Sequence, residues 1–66
     1  MTIIVNGEPL AVQNCSNIAA LLAQLDIDAR RVAVEHNLVV LKRDAFDRTP
    51  LREGDQIEIV NFVGGG

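Results

Sequence analysis

The sequence predicts an α+β domain in which one helix lies across one face of a mixed sheet of four to five strands. Three observations carry that expectation. Asn6-Gly7 sits between two apolar runs, and Asn-Gly so placed is the strongest short-range hairpin signal. Ile18, Leu21, Leu22 and Leu25 recur at i, i+3, i+4 and i+7, one stripe of a helix. Ile57 to Phe62 is a late apolar run that reads as a strand, so an early hairpin, a crossover helix and later strands share one sheet.

Composition narrows the classes of function. Sixty-six residues make one small domain, which buries only about 60% of the surface its unfolded chain exposes. The chain is 48% hydrophobic with two Phe and no Trp or Tyr. That allows a modest aliphatic core and leaves no room for a deep catalytic cleft, so a non-enzyme is expected. Net charge is −3 with the acids spread out, which gives no basic stripe for nucleic acid. Lys42 to Arg52 is interleaved with Asp44 and Asp47 and reads as a mixed solvated surface. A mildly acidic balance suits docking onto a basic partner face. Cys15 is the single cysteine and cannot form an internal disulfide. No run approaches the roughly 20 apolar residues of a membrane span, and no secretory signal opens the chain. A cytoplasmic protein, monomeric when free, is the expectation.

Each element has its own local reason. Met1 to Val5 is a strand, and a two-residue loop at Asn6-Gly7 pairs Ile3 with Leu10 and Met1 with Val12. Pro9 lacks an N–H, which places the second strand at a sheet edge. Asn17 or Ser16 supplies the N-cap of the helix. Ala19, Ala20, Ala23 and Gln24 fill its other faces with strong helix formers. Nine or ten residues of helix are marginal alone and need packing on the sheet. Val32 to Glu35 and Leu38 to Leu41 are short strands about His36-Asn37, which pairs Val34 with Val39 and Val32 with Leu41. Lys42 to Pro50 is a loop with a helical turn near Asp44 to Phe46, and Glu53-Gly54-Asp55 is a turn with positive φ at Gly54. The last strand, Gln56 to Phe62, turns Ile57 and Ile59 to one side and Glu58, Val60 and Phe62 to the other, because strand side chains alternate.

This order of elements is that of a ubiquitin-like β-grasp domain over residues 1–62, followed by a flexible tail over 63–66. The last strand is expected beside the first and parallel to it. The tail, Val63-Gly64-Gly65-Gly66, offers backbone and a terminal carboxylate. An α-carboxyl titrates at about 3.3–3.7, so at neutral pH it is ionised and can attack a phosphoryl group. Four extended residues reach roughly 13–14 Å at about 3.3–3.6 Å each. Without Cβ atoms at Gly65 and Gly66, the walls of a partner's site can close on the chain from every side. Val63, Gly64 and Gly65 are therefore the threading arm and Gly66 the group to be modified. Glu58, Val60 and Phe62 are the expected docking face, since exposed apolar patches on small domains mark partner sites. No catalytic residue and no metal site are expected. Cys15 reads as a small residue before the helix, and His36 has no Cys, Asp or second His at ligand spacing. Asp44 and Asp47 read as helical-turn surface.

The residues also carry a resemblance. Asn6-Gly7-Glu8, Leu21-Leu22, Val32-Ala33-Val34-Glu35, the segment from Thr49 to Val60, and Phe62-Val63-Gly64-Gly65-Gly66 together resemble the ThiS family of thiamin-biosynthesis sulfur carriers. His36-Asn37, Leu41 and Phe46 stand where that family often has Asn-Gly, Pro and Trp. The resemblance implies a carrier whose Gly66 carboxylate is adenylated by a ThiF-like adenylyltransferase using ATP and magnesium. A sulfur donor fed by a cysteine desulfurase then makes the thiocarboxylate, and a ThiG-like thiazole synthase takes the sulfur for the thiazole ring. The docking face then serves the adenylating enzyme and the synthase. Carriers for molybdopterin or tRNA thiolation are the nearest alternatives. A ubiquitin-like modifier is another, although Lys42 is the single lysine available for chain building.

Overall fold

The computed structural model describes residues 1–62; Val63, Gly64, Gly65 and Gly66, and with them the tail reading, lie outside the described residues. Along the chain run β1 (Thr2–Val5), β2 (Glu8–Ala11), α1 (Ile18–Gln24), a 3-10 turn at Ala29–Arg31, β3 (Val32–His36), β4 (Val39–Leu41), a second 3-10 turn at Arg43–Ala45, and β5 (Gln56–Asn61). The five strands form one sheet in the order β2-β1-β5-β3-β4. β5 is parallel to β1 and antiparallel to β3. This is the β-grasp layout, with the last strand in the middle and Pro9 on an edge.

The first hairpin has the expected register. Asn6 and Gly7 take φ of 49° and 82°, the paired positive values of a type I′ turn, and Ile3 pairs with Leu10. The second hairpin differs from the sequence reading. Its turn is Asn37-Leu38, with φ of 50° and 73°, and Val34 pairs with Leu41 rather than Val39. The cause lies at the start of β5. The Asn37 side chain accepts from the Gln56 N–H at 2.9 Å, and its backbone N–H donates to the Gln56 carbonyl at 2.8 Å. His36 donates from Nε2 to Asp55 Oδ2 at 2.8 Å. These bonds keep His36 in β3 and move the turn one residue on.

Helix α1 has seven residues, shorter than the nine or ten expected. It persists because its first amides are all satisfied. Ile18 and Ala19 donate to the carbonyls of Thr49 and Phe46 at 3.1 and 3.0 Å. Ala20 donates to the Asn17 side chain at 2.8 Å, as an N-cap requires. The loop after the second 3-10 turn thus acts as part of the cap. At the other end Asp26, at φ 60°, closes a Schellman motif: Asp26 N–H bonds the Ala23 carbonyl and Ile27 N–H the Leu22 carbonyl.

The core lies between α1 and one sheet face. Ile3, Ile18, Leu21, Leu22, Val34 and Ile57 are its fully buried side chains, each contributing about 1.5–3 kcal/mol on burial. Phe46 and Leu51 close it from the long loop. Cys15 is buried within it, and burial pushes its thiol pKa up.

Candidate functional site

The helix covers one face of the sheet and leaves the other open. Alternation along β5 puts Ile57 in the core, Ile59 against it, and Glu58 and Val60 on the open face. Val60 is 59% exposed and Phe62 54%, as the sequence reading required for a docking face. In the register of the sheet, Val60 lies opposite Ala33 and Glu58 opposite Glu35. Glu35 in turn lies opposite Val40, which is 70% exposed. The sheet register therefore places Glu58 and Val60 on one face with Ala33, Glu35 and Val40, and Phe62 is exposed just past the end of β5. The alternation of Val32 and Val34 with Ala33 and Glu35 was the signal that could have placed two of those three.

The strand that leads to the tail is held unevenly. β1 pairs with β5 only through Ile4 with Gln56 and Val5 with Ile57, since β1 then turns away at Asn6. The Asn6 side chain continues the ladder in its place. Its Oδ1 accepts from the Ile59 N–H at 2.7 Å, and its Nδ2 donates to the Ile59 carbonyl at 3.2 Å. Beyond that point β5 is held by β3 alone, ending in a bond from the Phe62 N–H to the Arg31 carbonyl at 2.9 Å. Sequence reasoning saw Asn6 only as a turn residue and missed this second task.

Two features elsewhere bear on function class. His36 and Asp55 form a partly buried pair, also bonded by Asn37 Nδ2 to Asp55 Oδ1 at 3.2 Å and by the Arg52 N–H to Asp55 Oδ2 at 2.9 Å. The bonds from His36 and Asn37 tie the end of β3 and its turn to Asp55 just before β5, while the Arg52 bond closes the turn that holds Asp55, so the group's role is to join β3 to the start of β5. A shallow groove beside α1 is floored by Ala19, Leu22, Ile27 and Phe46 and rimmed by Arg43, Asp44, Asp47 and Arg48. Its lining holds no Ser, Thr, Cys, His or Lys. Among the described residues no group of three metal-ligating side chains occurs, and no helix is long and apolar enough to cross a membrane.

Comparison with known proteins agrees with this geometry. The sequence profile of the ThiS family matches residues 3–66. A crystal structure of the thiamine biosynthesis protein ThiS from Geobacter metallireducens superposes with a TM-score of 0.85 at 42% identity, covering 100% of both chains. The sulfur carrier protein ThiS of Bacillus subtilis is 35% identical over 54 residues, 82% of each protein. A thiazole synthase of Paramagnetospirillum magneticum is 38% identical over 66 residues; the match takes in all of this chain but only 20% of that protein. The chain thus spans about a fifth of the synthase's length and about four-fifths of the Bacillus carrier's. With a family match from Ile3 to Gly66 and the same five-stranded sheet and helix, the chain belongs to the ThiS family, the small ubiquitin-like sulfur carriers of thiamine biosynthesis.

Proposed function

We propose that this carrier works through the Gly66 carboxylate, in the cytoplasm, as a co-substrate of partner enzymes. A ThiF-like adenylyltransferase binds ATP and magnesium and receives the arm Val63-Gly64-Gly65. A Gly66 carboxylate oxygen attacks the α-phosphorus and pyrophosphate leaves, giving the acyl-adenylate. A persulfide on a sulfur donor fed by a cysteine desulfurase attacks the carbonyl carbon and AMP departs with one carboxylate oxygen, leaving an acyl disulfide. A thiol then attacks the donor's sulfur, the S–S bond breaks, the donor leaves as a disulfide with that thiol, and the thiocarboxylate keeps the transferred sulfur. A ThiG-like thiazole synthase then takes that sulfur for the thiazole ring of thiamin.

The observation that carries this reading is the position of β5. It is central in the sheet, it continues directly into the glycine arm, and beside it lies an open face with Val60 and Phe62 exposed. A partner that binds this face has the arm within reach, because four extended residues span roughly 13–14 Å. The test is the intact mass of the protein after incubation with the adenylating enzyme, ATP and a sulfur source. Replacement of one oxygen by sulfur is expected. A ladder of covalent adducts would make the chain a modifier instead, and no change would end the carrier reading. Gly65→Ala is expected to abolish the mass change, because a Cβ there meets the walls that close on the arm.

A further inference from the structure

The open face pairs two like charges. Glu35 and Glu58 lie directly opposite each other on β3 and β5, where Cβ atoms stand about 4.5–5.5 Å apart and like charges destabilise the sheet. Among the described residues the ion pairs join Asp28 to Arg30 and Arg31, and His36 to Asp55; none involves Glu35 or Glu58. By strand alternation these two glutamates are the charged strand residues of that face. Around them, exposed Val40 lies opposite Glu35 on β4, and along β5 exposed Gln56 precedes Glu58 while exposed Val60 follows it, with exposed Phe62 just past the strand. An arrangement that is unfavourable in the free protein becomes favourable when a cation is set between the carboxylates. Arginine suits the position: its planar guanidinium carries five donors, can bond two carboxylates at once, and has a flat surface that packs on apolar neighbours.

We infer that the Glu35–Glu58 pair is the charge-reading part of the docking face, and that it receives an arginine projecting from the thiazole synthase. This rests on the reading above that a synthase takes the sulfur. The synthase is the occupant favoured by the relatives, in which a domain like this chain forms a fifth of a thiazole synthase and so meets it at high effective concentration. The apolar residues supply contact area, and the two carboxylates select the partner and its orientation.

The test uses purified thiazole synthase and the full chain, by calorimetric titration at 50 and 200 mM salt, with the Tm of each free variant. Glu35→Gln with Glu58→Gln is expected to raise Tm by about 1–5 °C, as the repulsion is removed. The same double variant is expected to weaken binding about tenfold at low salt and to flatten its salt dependence. The Glu35→Asp with Glu58→Asp pair, which keeps both charges, should bind within a few-fold of the parent; equal loss in both pairs would mean a damaged fold and overturn the charge reading. Unchanged binding by the Gln pair, with binding abolished by Phe62→Asp, overturns the inference while leaving the docking face in place. No binding by the parent overturns the inference together with the synthase reading. Self-association of the parent that the Gln pair abolishes would assign the face to a second copy and also overturn it.

Discussion

At the scale of single residues, two positions depart from what local chemistry prefers, and each makes a prediction. Leu38 holds φ 73° in the turn between β3 and β4 while its side chain is 83% exposed. A left-handed conformation costs an ordinary L-residue roughly 1–2 kcal/mol, and an exposed side chain returns little by packing. Leu38→Gly, which makes the turn Asn-Gly, is expected to stabilise the protein by about 1 kcal/mol, seen as a Tm rise of roughly 4–8 °C. Asp55 is the second. Burial alone would raise its carboxyl, but the hydrogen bonds from His36, Asn37 and the Arg52 N–H outweigh burial and hold it below its ordinary value of 3.8. A carboxyl lowered in the folded state contributes stability that is fully present above the unfolded value and is lost as pH falls through the folded one. Asp55→Asn is therefore expected to destabilise by about 1–2 kcal/mol at pH 7, the worth of charge-assisted bonds. The variant should also lose less stability than the parent on acidification below about pH 4, which denaturant melts across that range will show.

At the scale of elements, β5 is the strand that carries the proposed docking residues, and its neighbours hold it by different means. β3 pairs along the whole of it, from Val32 with Asn61 to His36 with Ile57. β1 stops two residues after pairing begins, and the Asn6 amide completes the edge by bonding both polar groups of Ile59. Asn6→Gly keeps the positive φ of the turn and removes only those bonds. It is expected to cost about 1–2 kcal/mol, two net hydrogen bonds. Native-state hydrogen exchange should then show the Ile59 amide losing more protection than those of Ile3 or Val34; uniform loss would mean that Asn6 serves the turn alone. The loop from Phe46 to Leu51 plays a comparable part for α1. Its carbonyls at Phe46 and Thr49 take the amides that a seven-residue helix leaves unpaired, and Leu51 N–H bonds the Ser16 carbonyl at 3.0 Å. A helix this short is marginal in isolation, so its length was not readable from the Ile18–Leu25 stripe. Leu25 keeps the spacing yet serves as the C-cap.

At the scale of the whole molecule, the residues that hold the fold are distinct from those to which the chemistry is assigned by the proposal above. The buried core among the described residues runs from Ile3 to Ile57, ahead in the chain of Val60 and Phe62, the proposed docking residues, and of the proposed arm. Deleting Gly66 is accordingly expected to leave Tm unchanged while preventing adenylation, measured as ATP–pyrophosphate exchange by the activating enzyme; normal exchange by the truncated chain would refute the role given to Gly66. Much of this organisation was legible in the residues alone. The 3.6 and 2 periods marked Ile3, Ile18, Leu21, Leu22 and Ile57 as core, and their alternation put Val60 and Phe62 outside, because a side chain's direction follows from its place in a helix or strand. Asn6-Gly7 determined its own turn, because few residue pairs accept two positive φ values. The β3–β4 register was different. Sliding β4 by two residues leaves every side chain on the same face, so the apolar pattern is satisfied equally by turns at His36-Asn37 and Asn37-Leu38. Only the bonds from Asn37 and His36 to Asp55 and Gln56, 19 or 18 residues away in the chain, separate the two. The meeting of Glu35 with Glu58 likewise exists only once β5 lies beside β3. Local periodicity determined which residues face the core; long-range hydrogen bonding decided which surface residues stand together.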